Sequence, residues 1–210
     1  MANKHISDEM LAAFLDGNVN GPELAGILKA AQSDREIKEM LDIALRLDDE
    51  YLPMFQMAAE GGRNLCDVQC EAYILNKLGI DTTVEELFKV AKDNRWIRRA
   101  GVPLYCIGNL IEYKGAVTSR KCDATIEDIM EALNNNHGVI TAVDCDKLYP
   151  DRPDEEDETN HAIVVIKVDT DSKEITLFDP ENSSEVIIPL PLFISAWKES
   201  RCFLVSAKRQ

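Results

Sequence analysis

The sequence predicts an α+β fold, with a small all-α module at residues 1–53 and a larger domain at residues 54–210. Three observations predict it. Apolar residues recur at helical spacing almost throughout the chain up to Leu133. From Gly138 onward the apolar residues gather instead into short runs rich in Val and Ile. Pro53 and the pair Gly61-Gly62 interrupt the helical pattern between the two parts. Helices first and strands later, without alternation, point to α+β rather than to a doubly wound sheet.

The elements follow in chain order. Ser7 precedes Asp8 and Glu9 and the run Met10, Leu11, Phe14 and Leu15, and Gly17 stops it. Asn20-Gly21-Pro22 offers a cap with proline in the first turn, followed by Leu24, Ile27 and Leu28. From about Asp34 a third helix carries Ile37, Met40, Leu41, Ala44 and Leu47 on one stripe. Three such helices share one buried face and make a marginal unit alone. Residues 52–64 read as linker and loop. Helices are expected from Cys66 to Leu78 (stopped by Gly79), Thr83 to Lys92, Asn109 to Tyr113 and Thr125 to Leu133. The last opens on a capping-box pattern, Thr125-Ile126-Glu127-Asp128, with Asp in place of Glu. Strands are expected at Gly138–Val143, Ala162–Val168, Glu174–Phe178, Val186–Ile188 and Phe203–Val205, with a hairpin turn between Val168 and Lys173. The acidic run from Asp151 to Glu158 reads as a solvated loop.

Charge and cysteine usage narrow the functions. The 210 residues hold 38 acidic against 23 basic side chains, a net charge of −15 that repels phosphate backbones, so nucleic acid is not an expected partner. No run approaches the ~20 apolar residues of a membrane helix, and the polar opening His5-Ile6-Ser7-Asp8-Glu9 does not read as a secretory signal. A cytoplasmic protein without membrane partner is therefore expected, and in a reducing compartment its six cysteines are free, metal-bound or catalytic rather than paired.

Cys66 opens a predicted helix, where unpaired N–H groups and a partial positive charge favour thiolate over thiol. A nucleophilic cysteine also needs a base within hydrogen-bond reach, and the base an orienting acceptor. His161, at the mouth of the Ala162–Val168 strand, is the candidate base. Asp179, in Phe178-Asp179-Pro180 at the far end of the next strand, is the candidate orienter. Strands joined by a hairpin run antiparallel, so the start of one lies beside the end of the other. The competing readings are plainer: Asp179 as a cap of the Pro180-Glu181-Asn182 turn, and Cys66 with Cys70 and His161 or His137 as a zinc set. Structural zinc pairs more often occupy CxxC turns, and no metal or other cofactor is expected. Cys70, Cys106, Cys145 and Cys202 read as small core hydrophobes, His137 as a turn residue and Trp197 as a core anchor.

From Gly61 to Arg209 the sequence resembles papain-like cysteine peptidases, specifically relatives of the bacteriocin-leader-processing (double-glycine) peptidases. The resemblance rests on Asn64-Leu65-Cys66, Ala100-Gly101-Val102-Pro103-Leu104, Ile107-Gly108-Asn109-Leu110, Gly138-Val139-Ile140 with Val143-Asp144, His161-Ala162-Ile163-Val164-Val165, Phe178-Asp179-Pro180 and the tail Phe193 to Trp197. It implies a papain-like fold, a peptide or protein substrate, Cys66 as nucleophile, His161 as general base and acid, and Asp179 as orienting residue. Members of that family usually carry Gln about six residues before the cysteine as an oxyanion donor; here Glu60 stands there, with Gln56 and Asn64 as the other candidates. Asp67 follows Cys66 where Gly often does, which sets a carboxylate beside the thiol. A catalytically weakened, protein-binding or regulatory module is the alternative function. Residues 5–17 resemble the opening of the small zinc-binding domains of anti-sigma factors without their Cys ligands, which implies a metal-free helical module offering a surface to a protein partner.

Overall fold

Helices open the larger part of this chain and most of its strands follow. The computed structural model describes residues 7, 10, 26–27, 29–31, 34–41, 65–97, 101–150 and 161–210. Two units divide it, Met1–Glu60 and Gly61–Gln210, and the division falls within residues 52–64, which the sequence reads as linker and loop.

In the first unit the described residues 26–27, 29–31 and 35–41 are helical. The Ser7 hydroxyl accepts the Met10 N–H, and Asp34 Oδ1 accepts the N–H groups of Glu36 and Ile37 where the third helix was expected to start; the cap expected at Asn20 lies outside the described residues. Ile27, Ala31 and Leu41 are buried, whereas Met40 of the expected stripe is exposed.

The second unit begins with helices α1 (Cys66–Lys77), α2 (Val84–Asp93) and the single turn α3 (Asn109–Tyr113). A short 3-10 turn, Leu104–Cys106, precedes α3. Strand β1 (Val117–Lys121), helix α4 (Ile126–Asn134), strand β2 (Gly138–Val143) and the short helix α5 (Cys145–Leu148) follow. Strands β3 (His161–Asp169), β4 (Glu174–Asp179) and β5 (Ser184–Pro189), helix α6 (Leu190–Trp197) and strand β6 (Leu204–Lys208) complete it. The six strands form one antiparallel sheet in the order β1-β6-β2-β3-β4-β5.

Local chemistry explains the boundaries. Thr83 caps α2, and Thr125 with Asp128 closes the expected capping box on α4. At the β3–β4 hairpin Asp169 Oδ1 accepts the N–H groups of Asp171 and Ser172, and Lys173 closes the turn at φ 58°. The core gathers Ile129 of α4, Val139 and Val143 of β2, Ile163 and Val165 of β3, Leu177 of β4, and Phe193 and Trp197 of α6. Trp197 anchors it as expected, and its indole N–H donates to Phe203 O at 2.8 Å.

Three expectations need correction. Strand β1 was not expected, because Val117-Thr118-Ser119-Arg120-Lys121 carries one aliphatic residue and no apolar alternation. It is an edge strand formed by pairing with β6, from Val117–Lys208 to Lys121–Leu204. Helix α5 was also not expected; Asp144 caps its one turn by accepting the Lys147 N–H. Cys145 and Cys202, read as core residues, are only partly buried, whereas Cys70 and Cys106 are buried.

Candidate active site

Cys66 is the first residue of α1, and Leu65 before it provides no side-chain cap. Cys66 thus stands at the end of α1 where the first-turn N–H groups and the positive end of the helix dipole lie. Helix α1 rests on the sheet closely enough that a Cβ at Gly138 of β2 would lie 2.6 Å from Ile74 Cγ2. Two thiols bracket one residue of β3: Cys66 Sγ accepts the Ala162 N–H at 3.4 Å, and the Cys70 thiol donates to Ala162 O at 3.3 Å. This sets the cysteine against the first residues of β3, where His161 stands.

The β3–β4 register brings the other two residues together. Val164 pairs with Phe178, so one further step sets Asp179 opposite Ile163, on the same sheet face as His161 and one diagonal place away. His161 Nε2 lies 2.8 Å from Asp179 Oδ1. Cys66 also acts on this imidazole, raising it as Asp179 does. Burial works against a charged His161, but the hydrogen bonds and charges of Asp179 and Cys66 outweigh it and hold the imidazole up to about 10.

Asp179 is fully buried and fully partnered. Its Oδ1 faces His161 and accepts the Glu181 N–H at 3.0 Å; its Oδ2 accepts from Tyr149 Oη at 2.6 Å and Asn182 Nδ2 at 2.9 Å. Burial raises the carboxyl, and the bonds from His161, Tyr149 and Glu181 reverse that and hold it at about 2. The turn-capping reading of Asp179 and the imidazole-orienting one thus describe the same side chain. Tyr149 and Asn182 escaped the sequence reading. Asn182 had a signal, an amide three residues past an Asp-Pro. Tyr149 had none, being 30 residues from its partner and just beyond a one-turn helix.

The cysteine's chain neighbour also departs from expectation. Asp67 is buried, 2% exposed, and its carboxyl meets that of Glu71 one turn along α1 rather than solvent. Burial pushes Asp67 up to about 6, even though Glu71 and the positive charge of Arg120 pull it down. Glu71 is raised as well, by burial and by Asp67. Of the oxyanion candidates, Gln56, Glu60 and Asn64 all lie outside the described residues. One grouping among the described residues offers three ligand atoms within 4.8 Å of one another: His161, Asp179 and Glu181. Its first two members already bond each other, and Cys66 and Cys70 each engage Ala162 rather than converging on one point.

Compared with known protein families, residues 49–204 match the Peptidase_C39 like family. The chain belongs to this family. Its C39-like fold is also found among solved structures: a crystal structure of a protein from Bacillus anthracis assigned as a C39-like peptidase superposes with a TM-score of 0.55 at 18% identity, covering 75% of this chain and 94% of that one. No curated protein matches the chain. The C39-like family match begins at residue 49, so it does not extend over the helices that resemble anti-sigma-factor domains. Membership of the family indicates cysteine peptidase activity on a peptide or protein substrate. Among the described residues no helix is long and apolar enough to cross a membrane.

Proposed function

We propose that the chain is a thiol peptidase working through Cys66, His161 and Asp179. The observation that carries this reading is the imidazole of His161, 2.8 Å from Asp179, with the Cys66 sulfur on the N–H of Ala162, the next residue of β3. In that arrangement Cys66 Sγ attacks the scissile carbonyl carbon while its proton resides on His161 Nδ1. The same nitrogen returns the proton to the leaving amine, and water then releases the acyl group from sulfur. Asp179, held ionised by three donors besides the imidazole, keeps the ring in the tautomer and rotation the transfer needs. The oxyanion is met by the Cys66 backbone N–H and by a second donor from Gln56, Glu60 or Asn64. Six free cysteines suit a reducing compartment, and the cytoplasm is the proposed location.

The test is the rate of iodoacetamide labelling at Cys66 across pH, located by mass spectrometry, in wild type and His161→Ala. The expected result is fast labelling below the ~8.5 of a free thiol that slows in the variant. Equal rates in the two proteins would sink the reading.

Glu60 favours a second reading, a catalytically weakened module that binds a protein partner. A carboxylate donates no hydrogen bond unless protonated, and losing one oxyanion donor costs about 10²–10³ in rate. On that reading the helices at residues 1–53 supply the partner surface, and Cys66→Ala leaves partner binding intact.

A further inference from the structure

We propose that Asp67 and Glu71 share a single proton and serve as positioning residues for Cys66, tying the first turn of α1 to the start of α3. The inference rests on the reading of Cys66 as nucleophile only for its consequence, not for the proton itself.

Both side chains are buried on one face of α1, four residues apart, at 2% and 0% exposure. Their surroundings differ. Each oxygen of Glu71 accepts a backbone amide from the start of α3, Oε1 from Gly108 at 3.0 Å and Oε2 from Ile111 at 2.8 Å. Gly108 adopts φ +91°, and a Cβ there would lie 3.0 Å from Arg120 Nη2 and 3.1 Å from Val205 Cγ1, so this amide is presented from a backbone only glycine tolerates well. Among the described residues Asp67 has no such donors: neither of its buried oxygens receives a hydrogen bond from an amide, a hydroxyl or a nitrogen side chain. What it meets is the Glu71 carboxyl. A carboxyl whose hydrogen-bonding neighbour is another carboxyl is satisfied when one proton lies between them; without it, two buried anions face each other with nothing to hold them.

The surrounding charges agree with one proton. Arg120 of β1 is the cation facing Asp67, and it already binds Glu112, Asn109 and Ile107 O, so it cannot neutralise two further carboxylates. Beside the pair the Cys70 thiol is pushed up, first by burial and then by Cys66, Asp67, Asp179 of β4 and Glu71. Burial raises both carboxyls, the direction that retains a proton near neutrality.

Asp67 adjoins Cys66 in the chain, so whatever holds Asp67 sets the first turn that presents the Cys66 sulfur and N–H. With the proton in place, α3 holds Glu71, Glu71 holds Asp67, and the cysteine is held against His161. Full ionisation replaces the link between Glu71 and Asp67 by repulsion.

The test uses the full chain. At pH 7 infrared spectroscopy is expected to show a protonated-carboxyl C=O stretch that disappears in both Asp67→Asn and Glu71→Gln. The Asn amide donates to Glu71 as the shared proton does. Asp67→Asn is therefore expected to label at Cys66 within about twofold of wild type, and Asp67→Ala roughly ten- to a hundredfold more slowly. Should Asp67→Ala not fold, Asp67→Ser carries the same comparison. Absence of the carboxyl band in wild type at pH 7 overturns the shared proton, and wild-type labelling in Asp67→Ala or Asp67→Ser overturns the positioning role. Labelling that ignores His161→Ala overturns the peptidase reading alone, because the carboxyl band does not depend on it.

Discussion

Asp179 shows how much a single carboxylate is asked to do. It closes the turn after β4, lies 2.8 Å from His161 Nε2 and takes the Tyr149 hydroxyl. Tyr149→Phe removes one of its charge-assisted bonds and is expected to cost about 1.5–3 kcal/mol, read from urea unfolding. It should also slow Cys66 labelling, and unchanged labelling would make Tyr149 a purely structural partner. Glu60→Gln tests the donor that the family resemblance expects. Turnover of a peptide substrate should rise, by up to the roughly 10²–10³ that one oxyanion donor is worth. No rise would assign the donor to Gln56 or Asn64. At this scale the sequence was readable where a residue's role follows from its chain neighbours. Cys66 at a helix start and Asp179 before proline were visible. Tyr149 was not, because its partner is fixed by the way β4 and the chain after α5 pack. Glu71 was not, because an acid on a helix face looks solvated until α3 covers it.

Elements form here for two different physical reasons, and only one of them is written locally. Strands β2, β3 and β4 carry runs of β-branched and apolar residues, and α4 carries its own capping box, so their existence follows from nearby sequence. Strand β1 owes its extended conformation to the backbone of β6, a partner more than 80 residues away, and no pattern within Val117–Lys121 announces it. The approach of α1 to β2 is of the same kind. Gly138 is where the helix presses on the sheet, with Ile74 nearly fully buried against it. Gly138→Ala is expected to destabilise by about 1–3 kcal/mol through overpacking. Because α1 carries Cys66 and the sheet carries His161, the variant should also slow Cys66 labelling. A variant as stable as wild type would mean that Ile74 shifts aside without cost.

Across the whole molecule the buried titratable groups predict how stability follows pH. Asp179, held at about 2, contributes stability that is present above its unfolded value near about 4 and lost as pH falls through 2. His161, held up to about 10, contributes stability that is present below about 6.5 and lost as pH rises through 10. Asp67, raised to about 6, and Glu71, raised as well, act in the alkaline sense too: their contribution is present below about 4 and lost as pH climbs through their folded values. The unfolding midpoint is therefore expected to peak in the mildly acidic range and fall steadily toward pH 9 and above. Asp67→Asn should flatten the first part of that fall. A midpoint that rises between pH 6 and 9 would contradict the charge states assigned to these groups. The α+β class, the caps at Thr83 and Thr125, the central strands and the nearness of His161 to Asp179 could be read from sequence, because each depends on spacing, capping chemistry or strand order within a short stretch. The edge strand, the partners of Asp179 and the burial of Asp67 against Glu71 came only with tertiary packing. They depend on backbone and carboxyl groups that are identical in any sequence until folding removes the water around them and decides which neighbour replaces it.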